Sequence, residues 1–327
     1  QSNRSMLATA LAGLAERYGL VGERVDEVMA GAVMNHARDF NLAREALLDA
    51  GLSPSTPGTT IQIACGTSLQ AALTLGAKIA SGEIESGIAA GADTISDSPV
   101  VFGDRFAHRL IALRRARTPG QRLAAFKGFS LGEIKPVAPS TQEPRTGLSM
   151  GEHCELMARE WGISRDEQDE FALKSHLNAA ASIANGFHDD LIVPCAGIYK
   201  DNNVRGDTSI ETLQGLKPAF DRKSGQGTLT AGNSTPLTDG AAAVLLASED
   251  WAKARGLPVL ATLRMGQVAA NDFAAGDGLL MAPTIAVSRL LERAGIGLED
   301  IDLFEFHEAF AAQVLCTLRA FWDRKYC

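Results

Sequence analysis

TTIQIACGTSLQAALTLGAKIA, residues 59–80, is the stretch on which the fold turns. Thr59 to Ala64 is β-branched and apolar, which reads as a strand, and Gly66 to Ala80 is rich in small and apolar residues without proline, which reads as a helix. The strand is expected to feed straight into the helix, and Gly87 to Ala92 is the next strand. Upstream, Met6, Leu7, Leu11 and Leu14 fall at helical spacing between Arg4 and Tyr18, with Asn3 or Ser5 as cap and Gly19 as stop. Val25, Val28, Ala30 and Val33 form a short buried strand, and Leu42 to Ala50 an amphipathic helix closed by Gly51. Far downstream, GAAAVLLA at 240–247 reads as a small-residue strand. Such alternation predicts an α/β fold around a largely buried sheet.

The chain has 327 residues, long enough for about two domains, and its 46% hydrophobic and 21% charged side chains are those of an ordinary globular protein. Thirty-nine acidic against thirty-one basic residues leave a formal charge of −8, the wrong sign for a nucleic-acid partner. The five cysteines form no CxxC pair and no metal-ligand spacing, and their odd count fits a reducing compartment better than a disulfide framework. No apolar run is long enough to span a bilayer, and no metal site is expected. A cytoplasmic location follows, with a mitochondrial one left open because Gln1 runs almost directly into a helix, as if a segment preceded it.

Residues 14–31 (LAERYGLVGERVDEVMAG) lie over residues 290–307 (LLERAGIGLEDIDLFEFH) without a gap. Leu14, Glu16, Arg17, Gly19, Glu23 and Asp26 recur as Leu290, Glu292, Arg293, Gly295, Glu299 and Asp302, and Val25 faces Ile301. A duplication is inferred, with a second strand expected at Ile301. Residue 327 would then map just short of the counterpart of the strand–Cys65–helix unit, so the second copy is expected to be incomplete. Between the copies, 104–150 mixes a basic stretch with a Pro- and Ser-containing loop, 151–187 reads helical with a capping box at Ser164 and Glu167, and 188–228 reads irregular.

Cys65 stands where an apolar strand meets a helix N-terminus, a place whose unpaired N–H groups and dipole favour a thiolate. Gly66 leaves room beside the sulfur for a substrate carbonyl. The other reading of Cys65 is a small residue filling a tight corner. Taken without wider context, His307 reads as a buried histidine satisfied by backbone and Met150 as a core methionine. Asn233 either contacts substrate or fixes a tight turn, and Asp239-Gly240 has turn chemistry as well.

Taken together, IACGTSLQAA around Cys65, TAGNSTPLTDGAAAVLLAS at 230–248 and FEFHEAFAAQ at 304–313 resemble the thiolases, which make or cleave 3-ketoacyl-CoA. LAREALLDAG at 42–51, SRDEQDEFALKSH at 164–176 and LKPAF at 216–220 extend the resemblance over essentially the whole chain. His307 begins a His-Glu-Ala-Phe motif where many thiolases have Asn-Glu-Ala-Phe. That variant and the 104–150 insertion are similar to the thiolase subunit of the fatty-acid β-oxidation trifunctional complex.

The resemblance implies a thiolase-like fold of two duplicated βαβαβαββ-type halves. The first half would run over 1–103 and regain a strand at 231–249, the loop domain would occupy 104–230, and the incomplete second half 250–327. It implies an acyltransferase in which Cys65 is the nucleophile and His307 helps hold a water or contacts the thioester oxygen where enolate charge develops. Gly66, Met150 and Asn233 would lie against substrate, the Cys65 N–H would donate to a second oxyanion hole, and coenzyme A would be co-substrate with no cofactor held permanently. A homodimer or dimer of dimers is implied too, as is a hydratase/dehydrogenase partner subunit.

The family's Gly-His-Pro and Cys-Gly-Gly motifs do not occur before Cys327, and neither Cys316 nor Cys327 has the glycine context to replace the second. A chain ending there would be nearly inert, which keeps a catalytically silent acyl-CoA-binding or assembly subunit beside the degradative enzyme and a biosynthetic acetoacetyl-CoA thiolase. Residues 105–127 hold Arg105, Arg109, Arg114, Arg115, Arg117, Arg122 and Lys127 with no acid among them. This stretch can meet the phosphates of coenzyme A, be a solvated helix face, or touch a membrane surface or partner.

Overall fold

A computed structural model describes residues 1–323. The first unit is built from α1 (Asn3–Arg17), β1 (Glu27–Gly31), α2 (Leu42–Asp49), β2 (Gly58–Ile61), α3 (Thr67–Ala80) and β3 (Ser86–Asp93). Ser2, rather than Asn3 or Ser5, caps α1: its hydroxyl accepts from the Ser5 N–H and the Ser5 hydroxyl returns the contact, a capping box. Asn3 is buried and donates to the Met34 carbonyl at 2.8 Å instead, tying α1 to the loop after β1.

An excursion follows: β4 (Val101–Phe102), α4 (Asp104–Arg115), α5 (Pro119–Ala125) and β5 (Pro136–Val137). β4 and β5 pair antiparallel and close it off as a small hairpin unit. Neither of its helices buries a residue; Phe102, Phe106, Phe126 and Phe129 pack on one another instead. Arg109 is not one of the available cations of the basic stretch, because its guanidinium is held by Glu133 at 2.6 Å and by the Ala125 and Lys127 carbonyls.

Then come α6 (Met150–Glu160), α7 (Arg165–Ala184), α8 (Ile210–Gln214), β6 (Gly240–Ala247), α9 (Glu249–Ala254), α10 (Ala282–Ala294) and α11 (Ala311–Trp322). The main sheet has the order β2-β1-β3-β6, with β1 parallel to both β2 and β3 and β6 antiparallel to β3 over eight residues. Because side chains alternate across a strand, Val28, Ala30, Ile88, Ala90 and Ala92 pack under α1 and α2, while Met29 and Ala89 meet Ala71 and Leu75 of α3. Glu27 is the polar exception in β1, buried but held by Lys78 at 2.7 Å and by the Thr59 hydroxyl at 2.6 Å. A second core joins α6 and α11 through Cys154, Met157, Phe310, Ala312 and Cys316.

The two similar stretches end their helices in the same way. Gly19 and Gly295 both take positive φ, 64° and 67°, and each N–H turns back three residues, to Glu16 and Glu292. Leu20 and Ile296 then donate to Ala15 and Leu291. After that they diverge. The strand expected at Ile301 is not formed: residues 303–308 have no regular structure and Leu303 is 90% exposed. A strand is stable only beside a partner, and among the described residues no segment pairs with this one.

Gly31 shows how tightly β1 meets the segment that follows. A Cβ there would lie 1.9 Å from the Ile61 carbonyl oxygen and 2.6 Å from Thr67 Cγ2. The variant Gly31→Ala is therefore expected to lose about 1–3 kcal/mol of stability, measured as a lower urea midpoint at unchanged m-value; an unshifted midpoint would show that the contact is dispensable.

Candidate active site

The chain does not run straight from strand to helix at Cys65. β2 stops at Ile61, and residues 62–65 make a tight turn in which Ala64 takes φ of 44°, a left-handed conformation costing a non-glycine residue about 1–2 kcal/mol. Thr67 holds the turn: its hydroxyl donates to the Ala64 carbonyl at 2.7 Å and accepts from the Ile63 N–H at 2.9 Å. The Gly66 and Thr67 amides are turned back onto the Ile63 and Ala64 carbonyls, so these two are not the unpaired helix-start donors expected from sequence.

The result is a solvent-exposed Cys65 side chain at an elbow directly before α3. Gly66 has φ of −86°, open to any residue, and a Cβ built there would come no closer than 3.5 Å to the Ile63 carbonyl oxygen. Neither backbone nor packing within the chain calls for glycine at 66. The space beside the sulfur is open.

The other cysteines differ. Cys154 and Cys316 are buried in the second core; burial pushes the Cys154 thiol far up and holds the Cys316 thiol up at about 12, so both stay protonated. Cys195 is half-buried near the Thr9 hydroxyl, and Cys327 lies outside the described residues.

His307 is exposed in the unpaired stretch before α11, which excludes a buried histidine satisfied by backbone. Beside it, the Glu308 carboxylate accepts from the Ser175 hydroxyl of α7 at 2.6 Å. Met150 opens α6 and is 37% exposed, so it is not a fully buried core methionine.

Asn233 is buried and both ends of its amide are used inside the protein. Its oxygen accepts from the Thr230 N–H at 2.7 Å, and its nitrogen donates to Asp169 at 2.9 Å and to the Thr228 carbonyl at 3.2 Å. The side chain therefore fixes the loop, the turn reading, and is not turned toward a ligand. Asp239 likewise serves the backbone, accepting from the Ile95 and Ser96 amides and the Thr94 hydroxyl at the end of β3.

Cys65 and Gly66 share the elbow, and the Asn233 loop is joined to the His307 loop: the Ala311 N–H donates to the Asn233 carbonyl and the Thr235 N–H to the Ala309 carbonyl, both at 3.0 Å. Among the described residues no hydrogen bond links Cys65 to His307. A cavity of about 670 Å³ between α7, residues 203–212 and the Asn233 loop is lined by Ser175, His176, Arg205 and Glu308, and Cys65 is not part of its wall. No group of three or more His, Cys, Asp or Glu able to hold a metal occurs among the described residues.

Sequence reading passed over Glu155, Gln168 and Asp169, all buried on α6 and α7. Glu155 accepts from the Thr228 N–H, the Thr228 hydroxyl and the Leu229 N–H at 2.8–3.1 Å. Its signal was there: a carboxylate four residues after Gly151, on the face that also carries Cys154 and Ala158 into the core.

Family models described as the thiolase N-terminal and C-terminal domains match residues 1–250 and 257–323. The 3-ketoacyl-CoA thiolase of Serratia proteamaculans (strain 568) is 41% identical over 319 residues, covering 96% of this chain and 72% of its own length. That of Yersinia pestis (strain Pestoides F) is 41% identical over 314 residues, covering 94% and 71%. Among solved structures, the Bacillus anthracis acetyl-CoA acetyltransferase superposes with a TM-score of 0.82 at 31% identity, covering 99% of this chain and 79% of that one.

With iodoacetamide at neutral pH, Cys65 is expected to be alkylated first and Cys154 and Cys316 last, read by peptide mass spectrometry, and acetyl-CoA is expected to protect Cys65 alone. Equal rates at all the cysteines would remove the distinction drawn here.

Proposed function

Because this chain belongs to the thiolase family, we propose that it is the acyltransferase that cleaves 3-ketoacyl-CoA with coenzyme A, or runs the reverse condensation, through an acyl group carried on Cys65. The observation that carries this is the elbow: an exposed sulfur held out by a strained Ala64, beside a Gly66 that nothing in the protein's own packing requires.

The Cys65 thiolate attacks the 3-keto carbon, and the tetrahedral adduct collapses with cleavage of the bond between C2 and C3. The electron pair leaves on acetyl-CoA as its enolate, which is protonated to acetyl-CoA. A coenzyme A thiolate then attacks the acyl-cysteine and expels Cys65. His307 stabilises the oxygen on which enolate charge develops, and the Cys65 N–H serves the second oxyanion. Gly66 keeps the approach to the sulfur clear, and Met150 borders the acyl chain. Asn233 acts through the loop it shapes. The proton transfers belong to the histidine of the family's Gly-His-Pro motif and the cysteine of its Cys-Gly-Gly motif, which do not occur in residues 1–327.

The 41%-identical relatives named 3-ketoacyl-CoA thiolases favour the degradative direction, in fatty-acid β-oxidation, over acetoacetyl-CoA synthesis, for which the 31%-identical acetyl-CoA acetyltransferase speaks. Acyl-CoA and coenzyme A are the ligands, coenzyme A being substrate rather than resident cofactor. A homodimer or dimer of dimers in the cytoplasm fits the reading, and His-Glu-Ala-Phe with the α4–α5 hairpin supports a hydratase/dehydrogenase partner. Arg105, Arg114, Arg115, Arg117, Arg122 and Lys127 on and around that hairpin are assigned to phosphate, of coenzyme A first and of a membrane surface second. No helix among the described residues is long and apolar enough to cross a membrane.

In the complete gene product, Cys65→Ala is expected to keep its circular-dichroism spectrum and lose thiolysis by at least about 10³-fold. His307→Ala is expected to lower kcat by about 10²–10³-fold with little change in KM for coenzyme A. Retained turnover in Cys65→Ala would remove the mechanism. Thiolysis of longer 3-ketoacyl-CoA beside acetoacetyl-CoA is expected of the degradative enzyme, whereas activity confined to acetoacetyl-CoA would favour the biosynthetic one.

A further inference from the structure

We propose that Glu155 is a positioning residue for His307, acting through the loop 228–235 that it holds from below. The inference rests on the thiolase reading of His307. Among the described residues the imidazole makes no hydrogen bond, and the stretch around it has no regular structure, so its place is inherited from the backbone just beyond it. That backbone is gripped at Ala309 and Ala311 by Thr235 and Asn233, in a segment that belongs to no sheet.

Besides one backbone bridge, Pro218 to Thr230 with the Ala219 N–H donating to the Leu229 carbonyl at 2.8 Å, what fixes the gripping segment is a set of directional bonds from two helices. Glu155 of α6 takes the Thr228 and Leu229 amides and the Thr228 hydroxyl; Asp169 of α7 takes Asn233; Gln168 donates to the Thr228 hydroxyl at 3.0 Å. Asp169 is itself tied to Arg165 at 2.7 Å. The burial of Phe310 in the second core sets how deep the next turn sits, but apolar contact is non-directional and does not set register; hydrogen bonds do. Glu155 supplies more of them than any other side chain beneath the loop. Its removal leaves the buried Leu229 N–H and the half-buried Thr228 N–H without their partner, and the loop must move for the Leu229 amide to reach water.

A group that acts on developing charge loses effect steeply with misplacement, about 10²-fold for an error on the order of 1 Å. In the complete gene product, Glu155→Ala is expected to lower kcat for thiolysis by about 10–100-fold with KM little changed. The same substitution on a His307→Ala background is expected to add almost nothing, since no imidazole is left to misplace. Alkylation of Cys65 by iodoacetamide is expected to keep its rate, because Cys65 stands on the other unit. Glu155→Gln, whose one oxygen still accepts from both amides, is expected to recover most of the loss.

Losses that multiply in the double variant, a kcat that stays at the parental value, or Cys65 alkylation that slows in step with kcat would each overturn the proposal. Should Glu155→Ala not fold, Thr228→Val decides: it removes one donor from the latch and is expected to give a smaller kcat loss with the same non-additivity, whereas a loss that multiplies, or none, would overturn it. Hydrogen exchange provides a readout apart from turnover. The Thr235 and Ala311 amides are expected to lose protection in Glu155→Ala while those of β1 and β3 do not, and unchanged protection would count against the latch. A parent protein without thiolysis but with this exchange pattern would count against the functional reading alone.

Discussion

Everything in the first unit rests on β1 being buried on both faces between two parallel neighbours. With helices on either side, its five residues have no water to fall back on, so each backbone group must pair with β2 or β3 and each side chain must fit a packed layer. Glu27 is tolerated there because Lys78 and Thr59 meet both its oxygens. The close approach at Gly31 brings the end of β2 and Thr67 against this strand, so the Cys65 elbow is built on the least yielding part of the molecule.

The histidine side is built differently. α6, α7 and α11 bury their own core, and the loops that matter are hung on it by buried carboxylates rather than by a sheet ladder. A reaction needing Cys65 and His307 together thus draws on two kinds of support. One is backbone pairing that tolerates no added atom; the other is a set of side-chain bonds, each open to substitution.

Much of this was legible in the residues. The period of apolar positions marks α1 and α2, the small-residue run after Cys65 marks α3, the runs at 25–33, 59–64 and 87–92 mark the three parallel strands, and left-handed glycines at 19 and 295 mark the helix stops. Ser2 was missed as cap because Asn3 and Ser5 offer the same chemistry within three residues; burial of Asn3 and the use of Ser5 as the N3 partner of the capping box separate them. The strand at Ile301 failed because local pattern cannot supply a neighbour to pair with. Cys65 and His307 were singled out by motif, whereas Glu155 was not, since a glutamate in a helix looks solvated until the loop above it is in place. The turn at Ala64 was hidden for the same reason: alanine carries no mark of positive φ, and the clamp that imposes it comes from Thr67 three residues on.

The contrast among the sulfurs also governs how the protein ages. Peroxide arriving from solvent meets the Cys65 side chain at the surface, while Cys154 and Cys316 are screened by the core around them. If Cys65 carries the acyl group as proposed, oxidative injury would fall on the elbow first and stop acyl transfer in a molecule whose two cores remain whole, so that its working life ends by chemistry at one atom and not by unfolding.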